Sequence, residues 1–138
     1  MTKLEVLHVE KYLHEATARG HSVVVDEPED VGGGNAGMTP YEYLLAALGS
    51  CTAITLRMYA ERKKWKLDDV RVAVSHETKH AEDCEQCETE EGKLAVLRRR
   101  IEITGDLDDE QRARLMEIAS MCPVHRTLEG TVEVIDEE

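Results

Sequence analysis

Phenylalanine is missing altogether and tryptophan occurs once, so any core must be built from Leu, Ile, Val, Ala and Met. Basic residues are scarce beside acidic ones. Seventeen Lys and Arg face 29 Asp and Glu, a formal net charge of −12. Such a chain repels phosphate backbones and anionic headgroups, which excludes nucleic acid and membrane surfaces as expected partners. The basic runs at 62–64 and 98–100 read as solvated element ends. No hydrophobic signal core is expected in "MTKLEVLHVEKYLHE", which alternates charged and apolar residues. The longest apolar run, 43–58, contains Gly, Ser and Thr and is flanked by Glu42 and Arg57, too short and too polar for a membrane span. The expectation is a cytoplasmic protein with one domain over residues 1–138, free of internal repeats and low-complexity linkers.

What is present is a regular alternation of strand and helix patterns. Residues 4–13 read as a strand, and 22–26 as a second, paired with it through a turn near Arg19-Gly20. "EPEDVGGGNAGMTP" is a glycine-rich loop. It ends in a helix start with Thr39 as N-cap, Pro40 as first helical residue and Glu42 as the third, which together make a capping box. The helix continues to about Lys64. Leu44, Ala47, Leu48, Cys51, Thr55 and Met58 share one face and Leu45, Thr52, Leu56 and Tyr59 the next, a pattern that predicts burial on several sides. A strand with Val70, Val72 and Val74 on one face follows, then a polar connection and an antiparallel strand from "LAVLRRRIEITG". Asp108 and Gln111 open a second helix, with Leu115, Ile118, Ala119 and Cys122 on one face. Pro123 stops it and starts a short third helix, and "TVEVIDEE" reads as a last strand. The predicted order is β-β-α-β-β-α-α-β, an α+β fold with antiparallel sheet.

Four cysteines in a reducing compartment call for a chemical explanation. Cys51 lies among small residues, "GSCTA", where another backbone or a ligand can approach. Cys122 sits at the N-cap of the third helix, facing backbone N–H groups that favour a thiolate. Two readings stand at this level. Both can be inert small hydrophobes of the core. Alternatively they form a peroxide-reducing pair, in which one sulfur becomes a sulfenic acid and the other condenses with it.

"GGGNAGMTPYEYLLAALGSCTAITLRMYA" followed by "ASMCPVHRTLEG" resembles the OsmC/Ohr family, the osmotically inducible and organic hydroperoxide resistance proteins. The resemblance implies an OsmC-like fold with antiparallel sheets around two long central helices in an intertwined homodimer. It implies thiol-dependent reduction of organic hydroperoxides in oxidative-stress defence, without a bound cofactor, at the expense of a dithiol reductant such as a lipoylated protein. By motif, Cys51 matches the peroxidatic cysteine and Cys122 the resolving one. The family's supporting Glu follows the helix-opening proline directly, where this chain has Tyr41; Glu42 stands about 100° further round the helix. Arg19 is the nearest candidate for the family's arginine, and His125 and Arg126 are alternative sources of positive charge. Tyr41 motivates a second reading, a non-catalytic OsmC-like protein that binds an apolar ligand or a partner.

Another cluster lies apart from both motifs. His76, His80, Cys84 and Cys87 are spaced H-x3-H-x3-C-x2-C, a set that zinc accepts. The alternatives are an accessory dithiol and plain exposed loop residues.

Overall fold

The capping box forms as its sequence dictates. The Thr39 hydroxyl accepts the Glu42 backbone N–H at 3.2 Å, and the Glu42 carboxylate accepts the Thr39 N–H at 2.9 Å. Two orphan donors are thereby satisfied, and the 24-residue helix α1 (Pro40–Lys63) begins. The computed structural model describes residues 1–80 and 93–137. They form two compact units, Met1–Leu44 and Leu45–Glu138, the second beginning within α1.

The first unit is a three-stranded antiparallel sheet in the order β1 (Glu5–Glu10), β2 (Leu13–Ala18), β3 (His21–Val25). The turn at Arg19-Gly20 is present, with φ of 52° and 81°, the two positive values of a tight two-residue hairpin. It joins β2 to β3, however, because the expected single strand over 4–13 is broken. Lys11 takes φ 47°, and the chain reverses there with no Gly, Pro or Asn to announce it. Two histidines support this turn: the His8 Nε2–H donates to the Lys11 carbonyl at 3.0 Å and the His14 Nδ1–H to the Tyr12 carbonyl at 2.8 Å.

Beyond β3, Asp26 organises the glycine-rich loop. Its buried carboxylate accepts the Ala36 N–H at 3.0 Å and the Glu27 N–H at 2.8 Å. Its own N–H donates to the Met38 carbonyl, and the Tyr43 hydroxyl donates to the Val24 carbonyl at 2.6 Å. Gly37 is required by close approach, since a Cβ there would lie 2.6 Å from the Val24 carbonyl oxygen. The backbone N–H of Ala36, and then that of Glu27, hold the Asp26 carboxyl below its usual 3.8 against the opposing effect of burial. A depressed folded-state value stabilises the fold above 3.8 and loses that contribution as pH falls through the lower, folded value. The melting-temperature gap between wild type and Asp26→Asn is therefore expected to narrow in that acid window; a gap constant with pH contradicts the assignment.

The second unit packs α1 and α2 (Asp109–Ala119) on the antiparallel hairpin of β4 (Lys66–His80) and β5 (Lys93–Asp106), followed by α3 (Pro123–Glu129). Asp108 and Gln111 form the expected capping box, and Pro123 opens α3 with Cys122 as N-cap. The core is Leu56, Tyr59, Ala60, Leu67, Leu115, Ile118 and Ala119, with Val70, Ile101 and Ile103 of the sheet against it. At Gly49 a Cβ would stand 3.4 Å from Val74 and 3.8 Å from Val72, so β4 lies close to the small-residue centre of α1.

Two expectations are corrected here. α1 is buried along one face, through Leu48, Thr52, Leu56, Tyr59 and Ala60, whereas Ile54 and Met58 are 58% and 64% exposed. The last strand is absent: residues 131–137 take no regular structure and pair with none of the described strands. With the first strand divided, the order is β-β-β-α-β-β-α-α. The fold class, α+β with antiparallel sheets, is as expected. The whole of α1, longer than the run 43–58, is long and apolar enough to cross a membrane by length and composition alone. Its Arg57, however, donates to the Leu67 and Asp68 carbonyls, and its buried face packs on the unit's own core.

Candidate functional site

Cys122 owes its place to Pro123. The proline holds the preceding residue in extended geometry (φ −64°, ψ 142°), which ends α2 and aims the cysteine side chain at the first turn of α3. The sulfur accepts the His125 backbone N–H at 3.3 Å and is fully buried. On its other side stands Thr52, also fully buried, with Oγ1 at 3.8 Å from Sγ. Thr52 follows Cys51 directly on α1, so the junction of α2 and α3 is packed against that segment of the helix. Cys51 is partly exposed, and both are free thiols.

A guanidinium completes this neighbourhood. Arg99 Nη1 donates to Thr52 Oγ1 at 3.0 Å and to the Ala119 carbonyl, in the last turn of α2, at 3.3 Å. Arg99 also helps line a cavity of about 370 Å³ with Ala73, Val74, Ser75, Arg98 and Arg100. The reading of 98–100 as solvated element ends therefore fails at its middle residue. Arg98 is exposed and pairs with Glu77, and Arg100 is exposed, but Arg99 turns to the other face. The missed signal is the period of two: Arg99 falls in register with Leu97, Ile101 and Ile103, and pairs with Val74 on β4. Thr52 carried no sequence signal beyond its place on the apolar face of α1.

The other sequence candidates lie as follows. The Glu42 carboxylate is engaged in the helix cap. Arg19 occupies the β2–β3 turn of the first unit. His125 meets the Cys122 sulfur with its backbone N–H, while its ring pairs with Glu129 at 3.0 Å. Arg126 is exposed on α3. His76 is exposed on β4, opposite Leu97. Cys84, Cys87 and the side chain of His80 lie outside the described residues. Among the described residues no group of three or more His, Cys, Asp or Glu is placed to hold a metal ion.

Comparison with known proteins places the fold. A family model described as OsmC-like protein matches residues 32–135. No curated protein sequence matches significantly. An OsmC-like protein of Mycoplasma pneumoniae superposes with a TM-score of 0.75 at 18% identity, over 94% of this chain and 88% of that one. An organic hydroperoxide resistance protein OsmC of Legionella pneumophila gives 0.66 at 20% identity, over 94% and 90% of the two chains. The organic hydroperoxide resistance protein OhrB of Bacillus subtilis gives 0.64 at 18% identity, over 96% and 93%. At these identities the likeness is one of fold.

Proposed function

Since the chain belongs to the family of OsmC-like proteins, we propose that it reduces organic hydroperoxides with Cys51 and Cys122 as a redox pair. The observation that carries this reading is the contact of Cys122 with Thr52, the residue after Cys51. It supports a geometry in which one thiol is buried and held while the other has access to solvent.

The chemistry runs in three balanced steps. The Cys51 thiolate attacks one oxygen of the O–O bond, which breaks; the sulfur becomes a sulfenic acid and the alkoxide takes up a proton to leave as an alcohol. The Cys122 thiolate then attacks the sulfenic sulfur, forming the disulfide and expelling hydroxide, which is protonated to water. An external dithiol returns two electrons by thiol–disulfide exchange, through a mixed disulfide, and leaves as a cyclic or linked disulfide. The hydroperoxide and a lipoyl-type dithiol are thus the proposed partners. The direct test is consumption of cumene hydroperoxide with dihydrolipoamide, by wild type and by the cysteine variants taken up in the Discussion.

The same reading includes a homodimer. Ile54 and Met58 on the open face of α1, and Val132, Val134 and Ile135 in the unpaired C-terminal segment, are apolar surface that a second copy would cover. The segment 131–137 keeps a strand's alternation without a strand's partner, which suits pairing with another chain. Sedimentation is expected to give twice the chain mass of 15.5 kDa, and Met58→Glu to lower it. A monomer at micromolar concentration contradicts the dimer.

A further inference from the structure

We propose that Arg99 and Thr52 are positioning residues for the resolving step, holding and orienting the Cys122 sulfur for its attack on oxidised Cys51. The inference rests on the proposed peroxidase reading and assigns roles to two residues outside its cysteine pair.

Thr52 has a single hydroxyl proton to give. In the resting arrangement that proton goes to the Leu48 carbonyl at 2.7 Å, a bond within the helix. Oγ1 meanwhile accepts from Arg99 Nη1 at 3.0 Å. With its proton spent and one lone pair taken, the hydroxyl meets Cys122 as an acceptor for the S–H, at 3.8 Å. Once Cys122 has lost its proton, the hydroxyl has to reverse its role. It can rotate its hydrogen from the Leu48 carbonyl to the sulfur while Arg99 continues to donate to the oxygen. The guanidinium cannot give up its charge, so it keeps the hydroxyl dipole aligned toward the anion. The Leu48 carbonyl loses little, since it lies within α1 and serves the helix backbone as well.

Arg99 fixes the frame as well as the hydroxyl. Its second bond, to the Ala119 carbonyl at 3.3 Å, ties down the last turn of α2 before Cys122. The two walls of the sulfur's pocket, α1 at Thr52 and α2 at Ala119, are joined through one guanidinium. This arginine has no carboxylate partner among the described residues, although acidic residues outnumber basic ones. A partly buried arginine left unpaired in an acidic chain is costly where it serves only packing. Beside a cysteine that turns anionic in its working cycle, the same charge is balanced when the step needs it.

The resolving step itself is unchanged: Cys122 gives up its proton to solvent, the S–S bond forms, the S–O bond breaks, and the departing hydroxide takes one proton back from solvent to leave as water. What Arg99 and Thr52 supply is the orientation of the incoming sulfur. The experiment treats the full chain with one equivalent of cumene hydroperoxide, traps Cys51 sulfenic acid with dimedone over time, and follows the Cys51–Cys122 disulfide by mass spectrometry. Thr52→Val keeps shape and loses the hydroxyl. In it the rate of disulfide formation, relative to the rate of Cys51 oxidation in the same variant, is expected to fall about tenfold, and sulfenic acid to accumulate. Thr52→Ser restores the ratio. Arg99→Met lowers it likewise, and Arg99→Lys restores part, since lysine brings the charge without the planar fork. A purely structural role would not be rescued by the hydroxyl of serine. Ratios within twofold of wild type in both Thr52→Val and Arg99→Met overturn this inference alone. A wild-type protein that forms neither Cys51 sulfenic acid nor the disulfide overturns the peroxidase reading, and this inference with it.

Discussion

Replacing Cys51 by serine is expected to reduce hydroperoxide-dependent oxidation of dihydrolipoamide to the uncatalysed background. A serine hydroxyl is not ionised near neutral pH and does not attack an O–O bond, so nothing replaces the lost nucleophile. Cys122→Ser has a different signature. The Cys51 sulfur is then expected to be oxidised once, with a sulfenic acid that persists until an outside thiol reaches it or further peroxide carries it to sulfinic acid. The contrast separates attack from resolution. If Cys51→Ser retains turnover while Cys122→Ser abolishes it, the two roles are exchanged. If both retain it, the reactive sulfur lies elsewhere, and Cys84 and Cys87 become the candidates.

Leu56→Ala is expected to produce the largest loss of stability of any single truncation in the second unit. The side chain is fully buried and packs with Leu115, Ile118 and Tyr59, where the two helices meet the sheet. Removing three carbons leaves a cavity that the neighbours fill only in part, at a cost of about 2–5 kcal/mol. For a chain of this size that corresponds to a fall in melting temperature on the order of 10 °C. The variant also bears on the site, because Leu56 lies one turn beyond Thr52 on the same buried face of α1. A shift of a degree or two would mean that this cluster does not hold the unit together. The measurement is thermal unfolding followed by circular dichroism, at one fixed protein concentration so that any association does not move the midpoint.

The elements that sequence reading located well are those whose signals are local. The boxes at Thr39/Glu42 and Asp108/Gln111 are short-range hydrogen bonds that the chain specifies within four residues. Pro123 dictates both the end of α2 and the N-cap place of Cys122 by its own covalent geometry. Val70, Val72 and Val74 mark β4 by simple alternation, and they do face the core side. The misses are non-local. The turn at Lys11 has no residue that demands it; its carbonyls are instead satisfied by two histidine rings across the hairpin. The apolar alternation of 131–137 specifies a strand, but a strand exists only where another edge receives it, and among the described residues none of the strands pairs with this segment. The apolar circumference of α1 gives the number of surfaces to be covered and not what covers them.

The site was legible to the same extent. Two cysteine motifs point to a redox pair, and Pro123 with its N-cap cysteine can be read directly from the sequence. Arg99 escaped because three consecutive arginines look alike as a charge run, although a strand sends neighbours to opposite faces. Thr52 escaped because its importance comes from residues 47 and 70 positions away, Arg99 and Cys122, which only the folded chain brings to it. Glu42 illustrates the converse. Its carboxylate is a plausible catalytic group by type, and the helix cap already accounts for it.

The central claim, that Cys51 and Cys122 act as one redox pair, is tested most directly by mapping disulfides after a single equivalent of cumene hydroperoxide. Protein is alkylated, digested and analysed by mass spectrometry without reduction. The account predicts a peptide pair joined through Cys51 and Cys122, absent before peroxide and lost again on adding dihydrolipoamide. A protein in which Cys51 and Cys122 both remain alkylatable thiols, or in which the only new bond joins Cys84 to Cys87, contradicts it.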